Sequence, residues 1–156
     1  MDTRTTGYPL LVTQYHIIGH PTRTEQWRFI VMITNSNGEM HELRGNYDTF
    51  TYVSERKERW TESVALCGGC LIGYVSPSML PHLRDILQGV TIVKHDRRFD
   101  CQTWIIMALR SLQKNGIVFR DMNEQKLRDE LAADKERDET GHEVIYERII
   151  SSGMFI

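Results

Sequence analysis

Residues 26–43 read QWRFIVMITNSNGEMHEL. Trp27, Phe29, Val31 and Ile33 alternate with Gln26 and Arg28, the period-two pattern of a half-buried strand. Asn35-Ser36-Asn37-Gly38 follows as a hairpin turn, because Asn-Gly tolerates the positive φ that such turns need. Glu39 to Leu43 then returns as the partner strand, with Glu39, His41 and Leu43 on one face. A hairpin of this kind commits the region to an antiparallel sheet.

Working outward, Leu10 to Ile18 (LLVTQYHII) is rich in β-branched and aromatic residues behind a Gly-Tyr-Pro turn signal and reads as a strand ended by Gly19-His20-Pro21. Asp48 to Val53 gives a further short strand, and the charged run Ser54 to Ser63 reads as a solvated loop. After Cys70, Leu71 to Val75 is a strand. Ser76-Pro77 then opens a helix with Leu80, Leu83 and Leu87 as its buried stripe and Gly89 as its stop. Val90 to Lys94 reads as another short strand. Asp100 caps a helix from Cys101 to about Lys114, with Trp104, Ile105, Ala108, Leu109 and Leu112 at helical spacing and Gly116 as terminator. Asn123 caps a third, mostly charged helix through Glu136, and Glu143 to Ile150 suggests a short fourth.

Strands first and helices after make the class α+β with a mainly antiparallel sheet. Its core is expected to contain Trp27, Phe29, Val31, Leu83, Leu87, Trp104, Ile105, Ala108 and Leu109. The chain has 156 residues, 40% hydrophobic and 26% charged, which fits one globular domain over 1–156. Its core lies roughly in 10–118, with a C-terminal helical extension over 123–150.

Nineteen basic residues against 21 acidic ones leave a net charge of −2, which argues against non-specific nucleic-acid or membrane-surface binding. The apolar runs are too short to span a bilayer. The first residues lack the apolar stretch of a secretory signal, and three cysteines suit a reducing compartment, so the expected location is the cytoplasm. Apolar residues in the tail (Ile149, Ile150, Met154, Phe155, Ile156) suggest packing against something, such as a second copy of the chain.

The sharpest chemical feature is Phe99-Asp100-Cys101-Gln102-Thr103-Trp104. Cys101 falls at the first position of an amphipathic helix, where unpaired backbone N–H groups and the helix dipole stabilise a thiolate, the form that attacks. Set against this, free cysteine is among the most buried residue types and packs as a small apolar group. Cys67-Gly68-Gly69-Cys70 offers a second thiol motif. With His95 and Cys101 it could complete a four-ligand zinc set, and as a redox pair it should open a helix, whereas it precedes a strand. A glycine-bent loop with two incidental thiols accounts for it more simply, so neither metal nor cofactor is expected. Arg97 and Arg98 could greet an anionic substrate group, although two loop arginines are usually just solvated. The carboxylates Asp134, Glu136, Asp138 and Glu139 read as a solvated face.

The segment FDCQTWIIMALRSLQKNGIV (99–118) resembles the cysteine helix of the circularly permuted papain-like hydrolases and acyltransferases, which include lecithin–retinol acyltransferase-like and NlpC-like proteins. It is more similar still to a group of small uncharacterised fungal proteins with a phenylalanine–polar–cysteine–polar–polar–tryptophan signature. The order strand, Asn-Gly hairpin, strand, helix, cysteine helix matches over roughly Leu10 to Val118. The resemblance implies a sheet carrying a catalytic histidine on an early strand, a third polar residue on the next, and Cys101 opening a later helix. Gln26 stands where the histidine is expected, and glutamine cannot accept a proton near neutral pH; His41 stands at the third position. The implied constellation is Cys101, His41 and Gln26, with His16 a further candidate base. Two readings follow. One is a thiol-dependent hydrolase or acyltransferase acting on a small-molecule or peptide amide, thioester or ester. The other is a non-catalytic ligand-binding or protein-interaction module on the same fold, resting on Gln26, the charged C-terminal helices, and a pocket lined by Trp27 and Arg28.

Overall fold

A computed structural model describes residues 7–17 and 25–136. The hairpin read from the sequence lies near the middle of a five-stranded sheet: β1 (Tyr8–His16), β2 (Glu25–Met32), β3 (Gly38–Arg44), β4 (Thr51–Lys57) and β5 (Leu66–Val75), in the order β4-β3-β2-β1-β5. Every neighbouring pair is antiparallel. The chain runs β1 to β4 as a meander and then crosses back to lay β5 along β1. Helices α1 (Leu80–Gln88), α2 (Cys101–Lys114) and α3 (Glu124–Glu136) follow, and the class is α+β as the strand-then-helix order implies.

Odd-numbered β2 residues face the helices. Trp27, Phe29 and Val31 pack with Leu83 and Leu87 of α1, Trp104, Ile105, Ala108 and Leu109 of α2, and Leu127 and Leu131 of α3. The expected core is therefore the observed one, and α3 belongs to it rather than extending from it. The opposite face carries a smaller cluster of Leu11, Tyr15, Ile30, Met32, Met40, Trp60 and Leu66. We call the helix-covered side the inner face and the other the outer face.

Several local expectations need correction. Asn37 and Gly38 do not adopt positive φ. The turn closes through Ile33 and Thr34 N–H groups donating to the Asn37 carbonyl, and Gly38 is required for space, since a Cβ there would lie 2.7 Å from the Val31 carbonyl oxygen. The run 54–63 is not a solvated loop: β4 extends to Lys57, and Trp60, 2% exposed, covers the outer cluster. Strand β5 starts at Leu66, five residues before its expected beginning, and takes in the Cys67–Cys70 motif. Residues 91–94 form no strand, because the run links two helices above the sheet and meets no strand to pair with. The suggested helix over 143–150, the apolar tail, His20, Asp138 and Glu139 lie outside the described residues.

Candidate functional site

Helix α2 begins where the sequence places it. The Asp100 carboxylate accepts from the Thr103 N–H (3.1 Å) while the Thr103 hydroxyl accepts from the Asp100 N–H (3.4 Å), a reciprocal cap that satisfies two donors. This puts Cys101 at the first helical position, buried at 9% exposure within the inner core. The next residue ties the helix start down: Gln102 donates to the Glu25 carbonyl at 3.0 Å and accepts from Arg128 at 3.1 Å.

His41 also faces inward, beside Phe29, and is fully buried. Its Nδ1 lies 2.6 Å from the Tyr52 hydroxyl. Its Nε2 lies 3.0 Å from Glu39 Oε1, at an angle that makes an electrostatic contact rather than a hydrogen bond. Arg84 of α1 then clamps Glu39 bidentately, at 2.8 and 2.6 Å. Burial alone would raise the Glu39 carboxyl, but Arg84 and His41 outweigh it and hold it down at about 2. Burial pushes the Tyr52 phenol up to about 12. Tyr52 also stacks on Trp104, ring centroids 5.8 Å apart. The result is a continuous chain, Tyr52–His41–Glu39–Arg84, filling the space between sheet and helices.

The expected constellation does not assemble as a unit. Gln26 is an even-numbered β2 residue and points to the outer face, where it donates to Glu42 (3.4 Å) and accepts from Arg28 (3.3 Å). The sheet separates it from Cys101 and His41, so it cannot orient a base or polarise an oxyanion on their side. The reason is register: Phe29 pairs with His41, so odd residues share one face and even residues the other. His16 pairs with Glu25 at the exposed end of β1. It stands two strands over and four residues along from His41, a separation of roughly 16 Å between backbones. The expected pocket lined by Trp27 and Arg28 is ruled out by the same parity. Trp27 is buried inward under Arg128, whose guanidinium lies 5.0 Å from its ring centroid.

The cysteine pair is similarly displaced from its expected setting. Three residues of extended strand span roughly 10 Å, beyond the ~7 Å Cα separation that a disulfide tolerates. Cys70 pairs with Val12 and donates to Glu130 at 3.1 Å. Cys67 sits in a bulge, and burial pushes its thiol up to about 11 despite a hydrogen bond with Gln14. His95 is held by Asp48 at 2.7 Å in an exposed loop. Among the described residues no three metal-ligating side chains converge. Gly68, between the thiols, makes room for α3: a Cβ there would lie 2.9 Å from the Asp134 Cβ. Asp134 itself is 2% exposed and accepts from the Gly69 N–H at 3.1 Å, so it is no solvated carboxylate. Arg97 and Arg98 are exposed, the first over the Tyr47 ring at 5.6 Å and the second paired with Asp96.

Two structuring residues escape a reading from sequence. Gln14 accepts from the Trp27 indole (3.2 Å) and donates to the Leu131 carbonyl (3.0 Å), joining β1, β2 and α3 from a buried position. Its alternation with the inward Leu10 and Val12 is the signal that marks it. Arg84 carries no such signal, since its partner Glu39 is 45 residues away. Among the described residues no helix is long and apolar enough to cross a membrane. Comparison with known proteins finds no match, whether among protein families, curated proteins or solved structures.

Proposed function

We propose that the chain is a non-catalytic ligand-binding or protein-interaction module on a permuted papain-like frame, in which the residues corresponding to a hydrolase site serve assembly. The observation that carries this reading is the engagement of His41. One ring nitrogen is hydrogen-bonded to Tyr52, the other lies buried in electrostatic contact with Glu39, and Glu39 is fixed in turn by Arg84. A general base must reach the proton it removes, and this imidazole is enclosed in a structural chain. Gln26, bonded to Glu42 and Arg28 on the outer face, adds to the case.

A second reading keeps the thiol active, as a hydrolase or acyltransferase acting on an amide, thioester or ester. It is favoured by the place of Cys101 at the first residue of a well-capped helix. Iodoacetamide labelling followed by mass spectrometry separates the two. The module reading expects Cys101 to be labelled no faster in the folded protein than in urea, and no acyl adduct to form with a p-nitrophenyl ester. Labelling at least ~10-fold faster in the folded state, as a stabilised thiolate requires, or a stoichiometric adduct on Cys101, overturns it.

A further inference from the structure

The outer face of the sheet carries a cleft of about 320 Å3 beneath the segment after β4. Tyr15, Met40 and Trp60 give it an apolar wall. Its cations are Arg28, Lys57 and Arg59, set against one carboxylate, Glu62. Arg28 is already balanced: it lies 4.4 Å over the Tyr15 ring centroid and 2.6 Å from Glu42. Lys57 and Arg59 are exposed, and neither has an ion-pair partner among the described residues. In a chain of net charge −2, two cations against the single carboxylate Glu62 leave a local positive excess at the mouth of the cleft.

The Trp60 indole N–H is buried without an acceptor, a condition that native structures seldom leave unmet. It lies 3.5 Å from where a Cβ on Gly38 would stand, and Gly38 is paired with Lys57. The donor is therefore packed against Gly38 of β3, outside the lining of the cleft.

We propose that this cleft binds a small organic anion, a flat apolar ring system bearing a carboxylate, sulfonate or phosphate. The ring would lie against Tyr15, Met40 and Trp60, with the anionic group meeting Lys57 and Arg59. The volume is near the lower end of the ~300–1,000 Å3 typical of ligand pockets, which favours one compact molecule over a peptide. The cleft lies on the far side of the sheet from Cys101, so this inference goes beyond the reading of the thiol and is tested separately.

The test titrates naphthalene-2-carboxylate into the full chain, following tryptophan fluorescence and the NMR shifts of the Trp60 indole. Saturable binding at Trp60 is expected, weakening with added salt. Lys57→Gln and Arg59→Gln, both exposed and compatible with the fold, should each weaken it by about tenfold, as should replacing the carboxylate with the neutral carboxamide. No saturable Trp60 shift at millimolar ligand overturns the proposal. So does equal binding of the carboxamide, or equal binding by both variants.

Discussion

The Tyr52 hydroxyl meets His41 Nδ1 at 2.6 Å, with the two rings 5° from parallel. Tyr52 pairs across the strands with Leu43, so it reaches His41 diagonally, a contact that aromatic side chains span in antiparallel sheets. The tyrosine thereby bridges the histidine to Trp104 of α2, and a polar residue on an apolar face becomes part of the sheet–helix seam. This relationship turns a candidate base into a structural element.

Tyr52→Phe should lower unfolding stability by ~1–3 kcal/mol, because it leaves a buried imidazole nitrogen unsatisfied. The double variant Tyr52→Phe/His41→Leu should cost less than the sum of the two single changes, since the partner left unsatisfied is also removed. Urea denaturation measures all three. Additive costs would show that the two side chains are not energetically coupled.

Glu39 predicts the acid limb of the stability curve. Its carboxyl titrates at about 2 in the folded chain against 4.5 unfolded. A depressed folded pKa contributes stability that is fully present above pH ~4.5 and is lost as pH falls toward 2. The contribution should be on the order of 2 kcal/mol, discounted because Arg84 is half-exposed. Glu39→Gln should be less stable at neutral pH and show a flatter decline between these limits in urea melts at stepped pH. An unchanged slope would remove Glu39 from the account.

Gly73 is required by a close approach. A Cβ there would lie 2.0 Å from the Ile117 carbonyl oxygen. The approaching segment cannot retreat without losing the Gly73–Val118 bridge and the Phe119 N–H bond to the Ile72 carbonyl at 2.9 Å. Gly73→Ala should therefore cost ~2–4 kcal/mol. Gly89→Ala, whose Cβ would meet nothing nearer than 3.4 Å, should stay within ~1 kcal/mol. Thermal melts of the two variants compare them directly, and equal melting temperatures would refute the steric account.

Elements set by local chemistry were legible. The Asp100 cap, the Asn123 cap, the Gly89 stop and the alternation of β2 each depend on residues within a turn of one another. Cys67-Gly68-Gly69-Cys70 reads as a loop from sequence because glycines commonly mark turns. Here both sit in a strand, Gly68 leaving room for Asp134 of α3, and Asp134 is 65 positions from Gly69, whose N–H donates to it. Trp60 was hidden in a charged run whose only apolar residue covers the outer cluster.

The candidate site divides along the same line. Side-chain alternation by itself determined that Gln26 and Arg28 share one face of β2, and that Glu39, His41 and Leu43 share one face of β3. Which of those faces coincide was decided by the hairpin register, since a one-residue slip turns every side chain of a strand over. The register pairs Phe29 with His41, so His41 goes inward to Tyr52, Glu39 and Arg84, and Gln26 goes outward. Period and capping act through neighbours in the chain. Long-range pairing and helix docking join residues tens of positions apart, and only the folded structure brings them into contact.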